Sequence, residues 1–144
     1  MKFHFQRFKH DPANGSYGDC HQTAIACILD LELDDVPNFG EHYGDIPAFF
    51  KAEKEFLTSK GLVSINIAYQ GNLDQVLAAM AANNSNILYI LGGVGARGFN
   101  HSVVACGGYI LHDPYEGGGG LVGPCTDGYY WIQYFTPKEL EYHA

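Results

Sequence analysis

The chain is poor in positive charge. Eight Lys and Arg stand against sixteen Asp and Glu, a formal net charge of −8, and no run of basic residues occurs. A phosphate backbone would be repelled, so no nucleic-acid partner is expected. Long apolar runs are also lacking. No stretch approaches the roughly 20 residues needed to span a bilayer, so no membrane partner is expected. The first residues, MKFHFQRFKH, alternate in character and have no apolar signal-peptide core. The four cysteines, at 20, 27, 106 and 125, contain no Cys-x-x-Cys pair, which removes zinc-ribbon and thioredoxin readings. Without a secretion signal they are read as reduced thiols of a cytoplasmic protein rather than as two disulfides. No internal repeat is found, and no cofactor is expected.

The remainder reads as one folded domain over residues 1–144. Hydrophobic residues make up 47% and charged residues 17%, an ordinary balance for a globular chain of this length. Eighteen glycines and ten tyrosines predict many tight turns and an aromatic surface or groove. Residues 2–8, KFHFQRF, alternate as an edge strand would. Residues 11–19, DPANGSYGD, are a loop. A helix then opens at Cys20, with Asp19 as N-cap and a buried stripe of Ala24, Cys27, Ile28 and Leu31, and stops by Pro37. A second helix over 45–61 has Asp45 as cap, Pro47 in its first turn and Gly61 at its end. A strand over 62–69, a helix over 72–83 capped by Asn72, and a strand over 86–93 follow. HSVVAC, Gly107-Gly108 and YILH form a hairpin. A glycine-rich loop leads to a last strand over 129–135. This order predicts an α+β fold, N-terminal helices packed on one side of an antiparallel sheet.

Three residues suit thiol chemistry. A nucleophilic cysteine needs its thiolate stabilised, which a helix start and a neighbouring imidazole can do. A third group must then hold the imidazole in the right tautomer. Cys20 opens the first helix, His101 opens a hairpin strand, and Asp113 follows the second strand of that hairpin. The hairpin therefore carries His101 and Asp113 to the same end. A metal site of His101, His112, Asp113 and Cys20 matches no known ligand spacing, so no metal is expected. Cys27, Cys106 and Cys125 read as packing residues. His21, His42, His112 and His143 read as surface or internally satisfied histidines.

NGSYGDC resembles the active-site segment of papain-like cysteine peptidases, Gln-Gly-x-Cys-Gly-Ser-Cys. Gly15 and Gly18 match, and Cys20 falls on the nucleophile. The oxyanion-hole glutamine falls on Asn14, a shorter amide, and His21 stands where that family has tryptophan. HSVVACGGYILHDP resembles the His-x-Val-Val and Asp-Pro element of double-glycine leader peptidases and transglutaminase-like proteins. GDCHQTAIACILDLELDDVPNF is similar to small bacterial and phage proteins of the papain-like class. The likeness covers about residues 14–39 and 99–120.

The resemblance implies a papain-like fold and a hydrolase that cleaves an amide bond in a peptide or protein substrate. Cys20 would be the nucleophile, His101 the acid and base, and Asp113 the orienting group. Asn14 or Gln22, with the backbone N–H of Cys20, would bind the oxyanion. Asp19 opposes thiolate formation unless its carboxylate turns away to cap the helix. Glycines at 92–98 and 117–120 suit a narrow cleft for an extended chain with small residues. Deamidation and acyl transfer share the thioester intermediate and stay open. So does an inactive module that binds a partner protein through YYWIQYF and an acidic surface.

Overall fold

A computed structural model describes residues 1–144. Helix α1 (Cys20–Leu29) is followed by α2 (Ile46–Ser59), β1 (Leu62–Tyr69), α3 (Leu73–Asn83) and β2 (Leu88–Gly95). The chain continues through β3 (Asn100–Cys106), β4 (Tyr109–His112), β5 (Leu121–Gly123) and β6 (Tyr130–Pro137). All strands join one antiparallel sheet in the order β1-β6-β2-β3-β4, and β5 extends β2 beyond its pairing with β6. No helix is long and apolar enough to cross a membrane.

The architecture is α+β as expected, but the helices do not share one side. Helices α1 and α2 pack with Ile90 and Val104 on one face of the sheet. Val76 and Met80 of α3 pack on the other, with Tyr89, Leu91, Val103, Ala105 and Ile132. Alternation along β2 and β3 sends neighbouring residues to opposite faces, so both strands are apolar on both sides. That two-sided burial requires helices above and below.

Local signals explain the helix boundaries. Asp45 accepts from the Ala48 N–H and Asn72 from the Gln75 N–H, while the Gln75 side chain accepts in return from the Asn72 N–H. Helix α1 ends at Asp30, which adopts the left-handed conformation at φ 59°. The strand expected over 86–93 is shifted, because Val94 and Gly95 still pair with β3 or β5. Strand β5 lies inside the expected glycine loop, its apolar Leu121 and Val122 too short a run to show periodicity.

Residues 2–8 are not an edge strand. They form an extended arm with one backbone bond to the rest of the protein, from the Gln6 N–H to the Pro114 carbonyl. Side chains hold the arm instead. The Asp19 carboxylate, 3% exposed, accepts the Arg7 and Phe8 N–H groups at 3.2 and 3.0 Å. His112 Nε2 donates to the His4 carbonyl, and Phe3 and Phe5 set their edges against the His112 ring. Asp19 thus occupies the N-cap position without capping by its side chain. Because the arm lies near α1 (the His4 N–H donates to Cys27 Sγ), Gln22 through Cys27 are buried as a continuous run rather than a stripe.

Asp19→Ala is expected to lower stability by about 2–3 kcal/mol, the scale of two hydrogen bonds to a buried carboxylate. Urea unfolding measures the loss, and limited proteolysis should find the arm cut earlier than in the parent protein.

Candidate active site

The sheet and α1 bring three of the predicted residues to one end of the molecule. His101 is the second residue of β3, opposite Gly93 of β2. Asp113 directly follows β4. The hairpin between them turns at Gly107, whose φ is +51° and whose added Cβ would lie 2.3 Å from the Ser85 carbonyl oxygen. Only glycine fits there, and the Gly107 carbonyl also accepts the buried Tyr89 hydroxyl. Beyond the turn the register shifts by one residue between Val104 and Ala105.

His101 Nε2–H donates to Asp113 Oδ1 at 2.7 Å. The carboxylate can only accept, so this bond fixes the tautomer and leaves Nδ1 as the ring's other partner atom. Asp113 is itself held by the Tyr115 N–H on Oδ1 and the Gly120 N–H on Oδ2, both at 2.9 Å. Burial opposes its charge, but the bond from His101 and these two backbone donors hold its pKa below the ordinary carboxylate value.

Cys20, the first residue of α1, lines the same cleft as His101 and interacts with its imidazole. Burial alone would lower the His101 pKa. The Asp113 hydrogen bond and the hydrogen bond and charge of Cys20 overcome it, and the imidazole is pushed up to about 9. Asp19 turns its carboxylate away from Cys20, toward the N-terminal arm rather than into the helix as expected.

Neither predicted oxyanion residue reaches this cleft. Asn14 is exposed in a short 3-10 turn, its amide donating to Asp11 at 2.7 Å. Gln22 is buried and donates to the carbonyls of Leu33 and Val36, tying the following loop to α1. Among the amide side chains that line the cleft with Cys20 is Gln6 of the N-terminal arm. Its Nε2 donates to the Phe8 carbonyl at 2.8 Å and keeps a second N–H, while Oε1 is buried without a partner. The polarity of Gln6 within an alternating segment was the only sequence sign of it.

The cleft has a volume of about 980 Å³. Gly92, Gly95, Gly98, Gly118 and Gly120 lie along it, and Ile46, Phe49, Phe50 and Trp131 give it apolar walls. Gly95 packs closely against His101, since a Cβ there would stand 3.1 Å from the histidine Cβ and 3.3 Å from its ring. His21 is half-buried and internally satisfied. Its Nε2–H donates to Glu53 at 2.6 Å on the cleft floor. No group of three or more His, Cys, Asp or Glu side chains is arranged to hold a metal ion. All four cysteines are free.

Comparison with protein-family models, with curated proteins and with solved structures gives no match.

The His101 titration gives a direct prediction. Its ring protons should report a pKa near 9 by NMR, falling toward the ordinary 6.5 in Cys20→Ala. A raised folded-state pKa contributes stability that is complete below about 6.5 and is lost as the pH rises through about 9. Asp113 has the opposite sign, its contribution being present above its ordinary 3.8 and lost on further acidification.

Proposed function

We propose that the protein is a thiol hydrolase of papain-like type that cleaves an amide bond, with a peptide as substrate. The observation that carries this reading is the imidazole of His101, fixed by Asp113 on one nitrogen and lining one cleft with Cys20, which stands at a helix start. An imidazole protonated to about pH 9 is the partner a thiolate nucleophile needs at neutral pH.

The chemistry then runs in two halves. The Cys20 sulfur attacks the carbonyl carbon, and the oxyanion formed is met by the Cys20 N–H, which has no partner within α1, and by the free N–H of Gln6. As the C–N bond breaks, His101 gives its Nδ1 proton to the leaving amine. Water next attacks the thioester, His101 takes a proton from it, and the C–S bond breaks to release the acid and restore the thiolate. Asp113 keeps the ring in place throughout. The glycine-lined walls suit an extended chain with small residues, and deamidation or acyl transfer would use the same thioester. Free thiols suit a reducing compartment such as a cytoplasm.

The exposed aromatic groups Tyr43, Phe50 and Trp131 at the cleft favour one other reading, an inactive module that binds a partner here. Reactivity separates the two. With brief iodoacetamide treatment near pH 6, well below the ordinary thiol pKa of about 8.5, Cys20 should label first and buried Cys27 last. Peptide mass spectrometry reads the order, and protection of Cys20 argues for the binder.

Substitutions give a second check. Cys20→Ser should fold and lose activity, and His101→Ala should lose it too. Asp113→Asn should weaken activity and also loosen the turn to Gly120, since an amide offers one acceptor oxygen where the carboxylate uses two. An effect that survives Cys20→Ser with an unchanged melting temperature excludes catalysis as its cause.

A further inference from the structure

The cleft floor beside Cys20 holds a polar group that the hydrolase chemistry does not use. His21 of α1, Glu53 of α2, Ser102 of β3 and Gln133 of β6 converge there, all lining the cleft. Glu53, 3% exposed, accepts from His21 Nε2 at 2.6 Å and from Gln133 Nε2 at 2.7 Å. His21 Nδ1 faces the Ser102 hydroxyl at 3.4 Å. Burial opposes the charge on Glu53, yet the hydrogen bond and charge of His21 and the Gln133 amide hold its pKa below the ordinary carboxylate value.

One atom of this group is left without a partner. Gln133 is 6% exposed, and its Oε1 makes no hydrogen bond. Exchanging its O and N would set oxygen against the Glu53 carboxylate, so the acceptor cannot be relieved by a flip. The one other buried unpartnered side-chain atom in the protein is Gln6 Oε1, also of a cleft residue. Both are acceptors. A buried acceptor without a donor is costly, and here the cost is confined to the cleft. The missing element is an N–H donor.

We propose that this floor is the specificity subsite of the cleft and that it takes a primary ammonium on an aliphatic stem, a lysine-type side chain, at the residue that supplies the scissile carbonyl. The proposal rests on the thiol-hydrolase reading for its place in a reaction. An ammonium brings three donors and no acceptor, which suits an acceptor-rich floor containing a carboxylate. An acidic side chain would set a further acceptor against Gln133 Oε1, and an apolar one would leave that oxygen unpaired. Ile46, Phe49 and Phe50 offer the apolar wall that a methylene stem packs against.

The test uses peptidyl chloromethyl ketones that differ only in carrying lysine or its near-isostere norleucine beside the ketone. Cys20 of the full chain should be alkylated at least about tenfold faster by the lysine reagent. That ratio should fall toward one in Gln133→Leu and in Glu53→Gln, two variants that fail independently if either misfolds. The same two side chains, presented as peptide amides, are then titrated against Cys20→Ala. Tighter binding of the lysine peptide, lost in the Gln133→Leu background, supports the subsite even if Cys20 proves unreactive, in which case the hydrolase reading alone falls. Equal rates with a reactive Cys20, or equal binding of the two peptides, overturns the subsite.

Discussion

The hydrogen bond from His101 to Asp113 is the constraint on which the arrangement of the cleft depends. It joins the start of β3 to the residue after β4, across a hairpin that turns at Gly107. The same carboxylate accepts the Tyr115 and Gly120 N–H groups, so one side chain sets both the imidazole and the glycine turn beside it. The adjacent Pro114 carbonyl receives the Gln6 N–H and fixes the N-terminal arm. A half-buried carboxylate that accepts three donors is stable as an anion, and that anion stabilises the imidazolium.

A second carboxylate does comparable work on the other side of Cys20. Asp19 anchors the arm through two backbone N–H groups and keeps its charge directed away from the sulfur. Structure and chemistry are coupled here. A carboxylate preceding Cys20 would oppose the proposed thiolate if its side chain faced forward, and its bonds to the Arg7 and Phe8 N–H groups turn it back.

Much of this was legible in the sequence, and the failures have identifiable causes. The start of α1 at Cys20 was marked by the glycine-rich loop before it, and α2 and α3 by Asp45, Pro47 and Asn72. The Gly107-Gly108 turn predicted that His101 and Asp113 lie at the same end of the hairpin, and they meet there although an irregularity at Val104 and Ala105 shifts the register. The arm was misread because alternation in KFHFQRF reports two-sided contacts, and side chains rather than a strand ladder supply them. Asn14 follows from the resemblance to the papain-like segment, but a turn carries the Asn14 amide onto Asp11. The His21–Glu53–Gln133 group joins two helices and a strand far apart in the chain, and no local pattern encodes such a meeting.

The account stands or falls on an acyl group carried by Cys20. Mixing the protein with p-nitrophenyl acetate and following nitrophenolate release, with intact-protein and peptide mass spectrometry in parallel, observes that species. A burst stoichiometric with protein, an acetyl group mapped to Cys20 and sensitive to hydroxylamine, and loss of the burst in His101→Ala are the predicted results. Release with no burst, or acetylation spread over lysines and unchanged in His101→Ala, would contradict the account.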